Sequence, residues 1–174
     1  MADSIISMRH PTRPGTRGYA SLAEIDAPVA RVWRALTDPA LIRIWSGAPA
    51  EVDPRKGGLY RLGVGERCRE AHIDVFDVNR RLRLIYLGDP GMPSSASAVV
   101  DDFLLDPRKG AGTTSLRLLG SGISDAPEWD AMYKRCRIAW ERNLARIKVA
   151  LENPPRPKPA RPPPGDAPLR GLDY

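Results

Sequence analysis

From residue 129 to 151, Trp129, Met132, Tyr133, Cys136, Trp140, Leu144, Ile147 and Leu151 recur at spacings of three and four. That period draws one apolar stripe down about six turns of helix. Arg135, Arg137, Arg142, Arg146 and Lys148 fall largely on the other side. A helix of this kind must bury its stripe against something apolar, and it needs a partner as long as itself. The chain ahead of it supplies one large candidate, a series of strands, so the sequence predicts an α+β protein in two layers.

Those strands are legible by alternation. Residues 18–26 form the first, and GLYRLGV (58–64) the second, with Tyr60, Leu62 and Val64 on one face. Residues 67–77 put Ala71, Ile73 and Val75 on one face, and Leu82, Leu84 and Tyr86 alternate with Arg83 in the next strand. Val99, Phe103 and Leu105 share a face in 98–105, and Leu116 and Leu118 lie in 113–119. Short turns (Gly65-Glu66, DVNRR, and DPRKG at 106–110) join most of them, as in an antiparallel meander. A longer loop with Gly88, Pro90, Gly91 and Pro93 precedes residue 98. Two short helices follow the first strand. Asp26 before Pro28 caps one with Val29, Val32, Trp33 and Leu36 apolar. Asp38-Pro39 starts the other with Leu41, Ile42 and Trp45, and Gly47 and Pro49 end it. Ser124 or Asp125 caps the long helix, with Pro127 and Glu128 in its first turn.

Residues 1–16 form a flexible lead, residues 17–152 the folded domain, and residues 153–174 an extended or disordered tail. Eight of the 15 residues from Pro154 to Pro168 are proline, which donates to neither helix nor sheet. The PxxP spacing in PPRP and PARP offers a protein partner through the tail, and a plain spacer is the simpler use. The net charge of +6 is diffuse: residues 1–16 hold +1, residues 153–174 hold +2 and the domain holds the remaining +3. With 11 aromatic residues in all and no basic stripe, a nucleic-acid partner is not expected. No apolar run reaches the ~18 residues of a membrane span, and Cys68 and Cys136 suit a reducing cytoplasm.

DAPVARVWRALTDPALIRIW (26–45), the Gly57-Gly58 pair, NRRLRLIY (79–86) and WERNLARIKVALE (140–152) resemble the activator-of-heat-shock-ATPase-homologue family. That family belongs to the START/polyketide-cyclase (SRPBCC) superfamily. Val78 stands where relatives often carry proline, and Tyr86 where many carry tryptophan. The resemblance implies a helix-grip fold: a curved antiparallel sheet of six or seven strands wrapped around the long C-terminal helix, with an apolar cavity between them.

Several constellations invite chemistry. Cys68, Glu70, His72 and Asp74 share one strand face, but Cys68 and His72 are about 13 Å apart at the rise of a strand. Zinc ligands sit within ~2.3 Å of the ion, so no metal is expected on this outward face. No G-x-S-x-G elbow accompanies His10 or His72, and KGAGTTS (109–115) lacks the Gly-Lys-[Ser/Thr] of a phosphate loop. Asp101 and Asp102 are consecutive, so one faces inward. If Phe103 faces the helix, Asp101 does too, and Arg69, on the face of Ile73, pairs with it. The alternative is a strand-end carboxylate reaching water.

Three functions fit these residues. The first is binding of a small hydrophobic or amphipathic ligand, by a carrier or sensor, through burial at ~25 cal/mol per Å² with a few polar groups setting its orientation. Candidate lining residues are Trp45, Tyr60, Ile73, Leu84, Tyr86, Asp101, Phe103, Trp129, Tyr133 and Trp140, with no cofactor. The second is a co-chaperone-like protein-interaction module, as monomer or homodimer. The third is a cyclase/dehydratase-type enzyme using Asp101 or Tyr60, although the residues lean away from catalysis.

Overall fold

The computed structural model describes residues 6–8, 14–63, 68–86, 88, 98–108 and 112–153. Strand β1 (Ile6–Met8) precedes β2 (Thr16–Ile25), and helices α1 (Val29–Thr37) and α2 (Pro39–Ser46) follow. Six strands come next: β3 (Ala50–Val52), β4 (Leu59–Leu62), β5 (Arg69–Asp77), β6 (Arg81–Tyr86), β7 (Val100–Pro107) and β8 (Thr114–Ser124). Helix α3 (Asp130–Glu152) closes the domain. All pairings are antiparallel, in the order β1-β2-β8-β7-β6-β5-β4-β3.

The expected α+β helix-grip architecture is present, with two three-residue edge strands added to the strands read from the sequence. One of them, β1, falls inside the segment read as a flexible lead and pairs with Leu22, Ser21 and Ala20 of β2. The Pro-rich tail from residue 154, the Gly65-Glu66 turn and most of the loop at 87–97 lie outside the described residues.

Helix α2 starts as read. Asp38 accepts from the Ala40 N–H at 2.9 Å, Pro39 stands at N1, and Gly47 (φ 69°) closes the helix in the left-handed region. Asp26, by contrast, does not cap α1. Pro28 holds that position without a side-chain bond, while the Asp26 carboxylate accepts from the Thr113 hydroxyl at 3.1 Å. Proline also delays α3, because the residue before it must be extended. Ala126 is extended, and Pro127–Trp129 form a 3-10 turn ahead of Asp130. Strand β5 departs from simple alternation as well. A bulge between Ile73 and Val75 removes Val75 from the inner face and turns Phe76 inward, where it meets Trp33 edge-on at 5.0 Å.

The core lies between the inner sheet face and α3. Ile73, Leu82, Leu84, Phe103, Leu116 and Leu118 are fully buried from the sheet. Met132, Cys136, Trp140, Leu144, Ile147 and Leu151 are buried from the helix. The stripe that constrained the sequence is thus the stripe that meets the sheet.

Candidate functional site

A polar cluster sits inside this apolar layer, and the strand register assembles it. Leu84 pairs with Asp101, Asp101 with Gly120, and Gly120 with Tyr19, so one row of inward positions crosses β6, β7, β8 and β2. Gly120 makes the row work. A Cβ at this position would collide with the Tyr19 ring, so its absence lets that ring cross the strand toward β7. Tyr19 then donates to Asp101 Oδ1 at 2.5 Å. Tyr86 donates to Oδ2 at 2.6 Å, and Trp140 Nε1 of α3 donates to the same oxygen at 2.7 Å. Trp140 also meets Phe103 edge-on, with ring centroids 5.0 Å apart.

Asp101 is fully buried, which rules out the alternative in which it reaches water at the strand end. A carboxylate at such depth needs several donors and a nearby positive charge, and three neutral donors surround it here. The expected direct pair with Arg69 is absent: no hydrogen bond joins the two side chains. Tyr19, Tyr86 and Trp140 occupy both carboxylate oxygens, and the Arg69 guanidinium lies over the Tyr86 ring, 3.9 Å from its centroid. Nε and Nη2 of Arg69 are buried and have no hydrogen-bond partner among the described residues. Tyr60, almost fully buried on β4, makes no hydrogen bond among the described residues, and the Oγ of inward-facing Ser21 is likewise buried without one.

These environments fix protonation. Burial pushes the Tyr19 phenol well up, and the Asp101 carboxylate adds to it. For Tyr86 burial again leads; Arg69 pulls back, and Asp101 raises it further. Burial and Asp101 also raise Tyr60. Burial opposes the charge on Arg69, but Tyr86 and Asp101 outweigh it and hold the guanidinium charged. Three protonated phenols, one cation and one saturated carboxylate therefore share the space beneath α3. As a general base, Asp101 would first have to release a donor, which weighs against the enzyme reading.

Of the residues singled out in the sequence, Tyr60, Ile73, Leu84, Tyr86, Asp101 and Phe103 come together on the inner face, with Trp140 opposite them on α3. Three others lie apart. Trp45 is tied to the Ala35 carbonyl at 2.7 Å and borders a separate groove of about 190 Å³ where α1 and α2 meet the end of α3. Tyr133 donates to the Gly18 carbonyl at 3.2 Å beneath the Arg17 guanidinium, and Trp129 is buried in the 3-10 turn. Sequence reasoning missed Tyr19, because the alternation of β2 is weak. The signal available was a lone glycine, Gly120, inside an otherwise apolar strand.

The outward face carries ion pairs. Arg61 links Glu51 and Glu70, and Asp74 lies 3.7 Å from Arg83. Among the described residues, no group of three or more His, Cys, Asp or Glu could hold a metal ion, and no helix is long and apolar enough to cross a membrane.

With the geometry in place, kinship can be assigned. Residues 26–152 match the family model described as Activator of Hsp90 ATPase homolog 1-like protein. The chain belongs to that family. Among solved structures, it is similar to CalU16 from Micromonospora echinospora, at 24% identity over 88% of each chain with a TM-score of 0.66. It is also similar to the Aha1 dimer from Colwellia psychrerythraea, at 19% identity over 78% of this chain and 96% of that one, TM-score 0.67. An HSP90 activator from Plasmodium falciparum matches at 18% identity over 78% and 94%, TM-score 0.63. At these identities the likeness is one of fold. No curated protein matches the chain.

Proposed function

We propose that this protein binds a small, largely apolar molecule between the sheet and α3, oriented by the polar cluster around Asp101 and Arg69. One observation carries the reading: Arg69 keeps two buried donors without a protein partner, although two tyrosines, a tryptophan and a carboxylate stand beside it. An unmet buried N–H costs about 1–3 kcal/mol. A fold tolerates several such groups in one place most readily where a ligand completes them. Ser21 Oγ adds one more unmet polar group on the same face. Burial of the ligand's own apolar surface in this layer drives binding at ~25 cal/mol per Å². A carrier or sensor in the cytoplasm is the role this site suits.

The names of the HSP90 activator and the Aha1 dimer support protein partners or dimerisation for this fold as well. The unmet donors favour a small molecule for this chain. The test is native mass spectrometry of the purified protein, followed by extraction. A non-covalent adduct lost on unfolding is expected. The bare chain mass, together with failure to bind any apolar probe, would contradict the reading.

A further inference from the structure

The two unmet donors of Arg69 are not an arbitrary pair. Nε–H and the adjacent Nη2–H point the same way along one edge of the guanidinium, forming the fork that meets a two-oxygen acceptor side-on. The same sheet shows what this edge engages. Arg81 Nε and Nη2 donate to Asp102 Oδ1 and Oδ2 at 2.9 and 2.7 Å. Arg61 Nε and Nη2 donate to Glu70 Oε2 at 3.0 and 2.8 Å. Each of these edges faces a carboxylate, whereas that of Arg69 is buried and meets none among the described residues.

We propose that the ligand is a carboxylic acid with an apolar body, its carboxylate received side-on by Arg69. This rests on the ligand-binding reading above and names the chemical class it takes. The charge of Asp101 is already spread over three donors, so it does not quench Arg69 by contact. A single carboxylate adds one negative charge beside that cation, while a phosphate monoester would bring nearly two close to Asp101. Stacking on Tyr86 holds the guanidinium in place and so sets the direction of its fork. Tyr60 lies next to Arg69 by register, since Leu62 pairs with Arg69 and Tyr60 with Ala71, and its hydroxyl has no partner among the described residues. It is the second donor for the same group. The apolar body then enters the apolar layer beside Tyr60 and Tyr86.

The experiment titrates the whole chain with matched pairs of probes: benzoate, 2-naphthoate and decanoate, each against its methyl ester. Ligand-observed NMR and calorimetry read the binding. The proposal expects at least one acid to bind ten-fold or more tightly than its ester. Arg69→Gln should lose the ten-fold preference for the acid over its ester, and Arg69→Lys should recover only part of it. The comparison of acid and ester in the unmodified chain holds even if a variant fails to fold. Equal binding of acid and ester, or tighter binding of the ester, overturns the carboxylate class and leaves the ligand reading standing. Binding of no probe at all overturns both.

Discussion

Asp101 and Asp102 are consecutive residues of β7, so the pleat sends one carboxylate toward α3 and the other toward solvent, and each lies near an arginine. On the outer face the carboxylate is held directly: Arg81 grips both oxygens of Asp102, and Arg83 stands 3.5 Å away, its buried Nε making no hydrogen bond among the described residues. On the inner face the carboxylate is complete but the arginine is not. Asp101 takes its donors from Tyr19, Tyr86 and Trp140, and the donor edge of Arg69 is left over. An ion pair closed on itself ties strands together. An arginine held charged beside a saturated carboxylate is available to something else.

Truncating each carboxylate tests the contrast most strongly. Asp101→Ala leaves two phenols and an indole N–H without their acceptor and a buried cation without its nearby counter-charge, and should cost about 3–5 kcal/mol. Asp102→Ala frees arginines whose side chains are already 39% and 38% exposed, and should cost about 1 kcal/mol. Urea denaturation of both variants measures the gap; equal losses would erase the distinction between the faces.

Gly120→Ala probes how the inner cluster is built. The new methyl meets the Tyr19 ring, so the ring must shift, at about 1–3 kcal/mol. The Tyr19 bond to Asp101 should be lost with it, and a near-ultraviolet dichroism change from the aromatic cluster reports the shift. An unchanged spectrum and stability would mean that Tyr19 does not need the space.

The smallest effect is on pH dependence. Tyr19, Tyr60 and Tyr86 hold their protons in the folded protein where the unfolded chain releases them near pH 10. They therefore contribute stability below that pH and lose it as the pH rises through it, because the unfolded state then binds fewer protons. Melting temperatures from pH 8 to 11 should fall, and Tyr19→Phe with Tyr86→Phe should flatten the fall.

The architecture was legible because periodicity reports burial directly: the 3/4 stripe of α3 and the alternation of β6 and β7 each name an inner face. Strands β1 and β3, at three residues each, are too short to alternate recognisably. The β5 bulge moved Phe76 inward because no local pattern marks an inserted residue. At the site, the inward placement of Asp101 and Arg69 followed from parity alone. Their separation did not, since it depends on Tyr19 arriving across Gly120 from a strand 82 residues earlier in the chain. Trp45, Trp129 and Tyr133 lie apart from the Asp101 cluster, and residue type alone does not tell which aromatic side chains a fold brings together.

The most direct measurement follows the side-chain Nε–H resonances of Arg69 and Arg81 by NMR during titration with 2-naphthoate, with its methyl ester as control. The Arg69 resonance should move downfield with the acid and stay in place with the ester, while Arg81, already engaged by Asp102, moves with neither. A stationary Arg69 signal, or one that responds alike to acid and ester, would contradict the account.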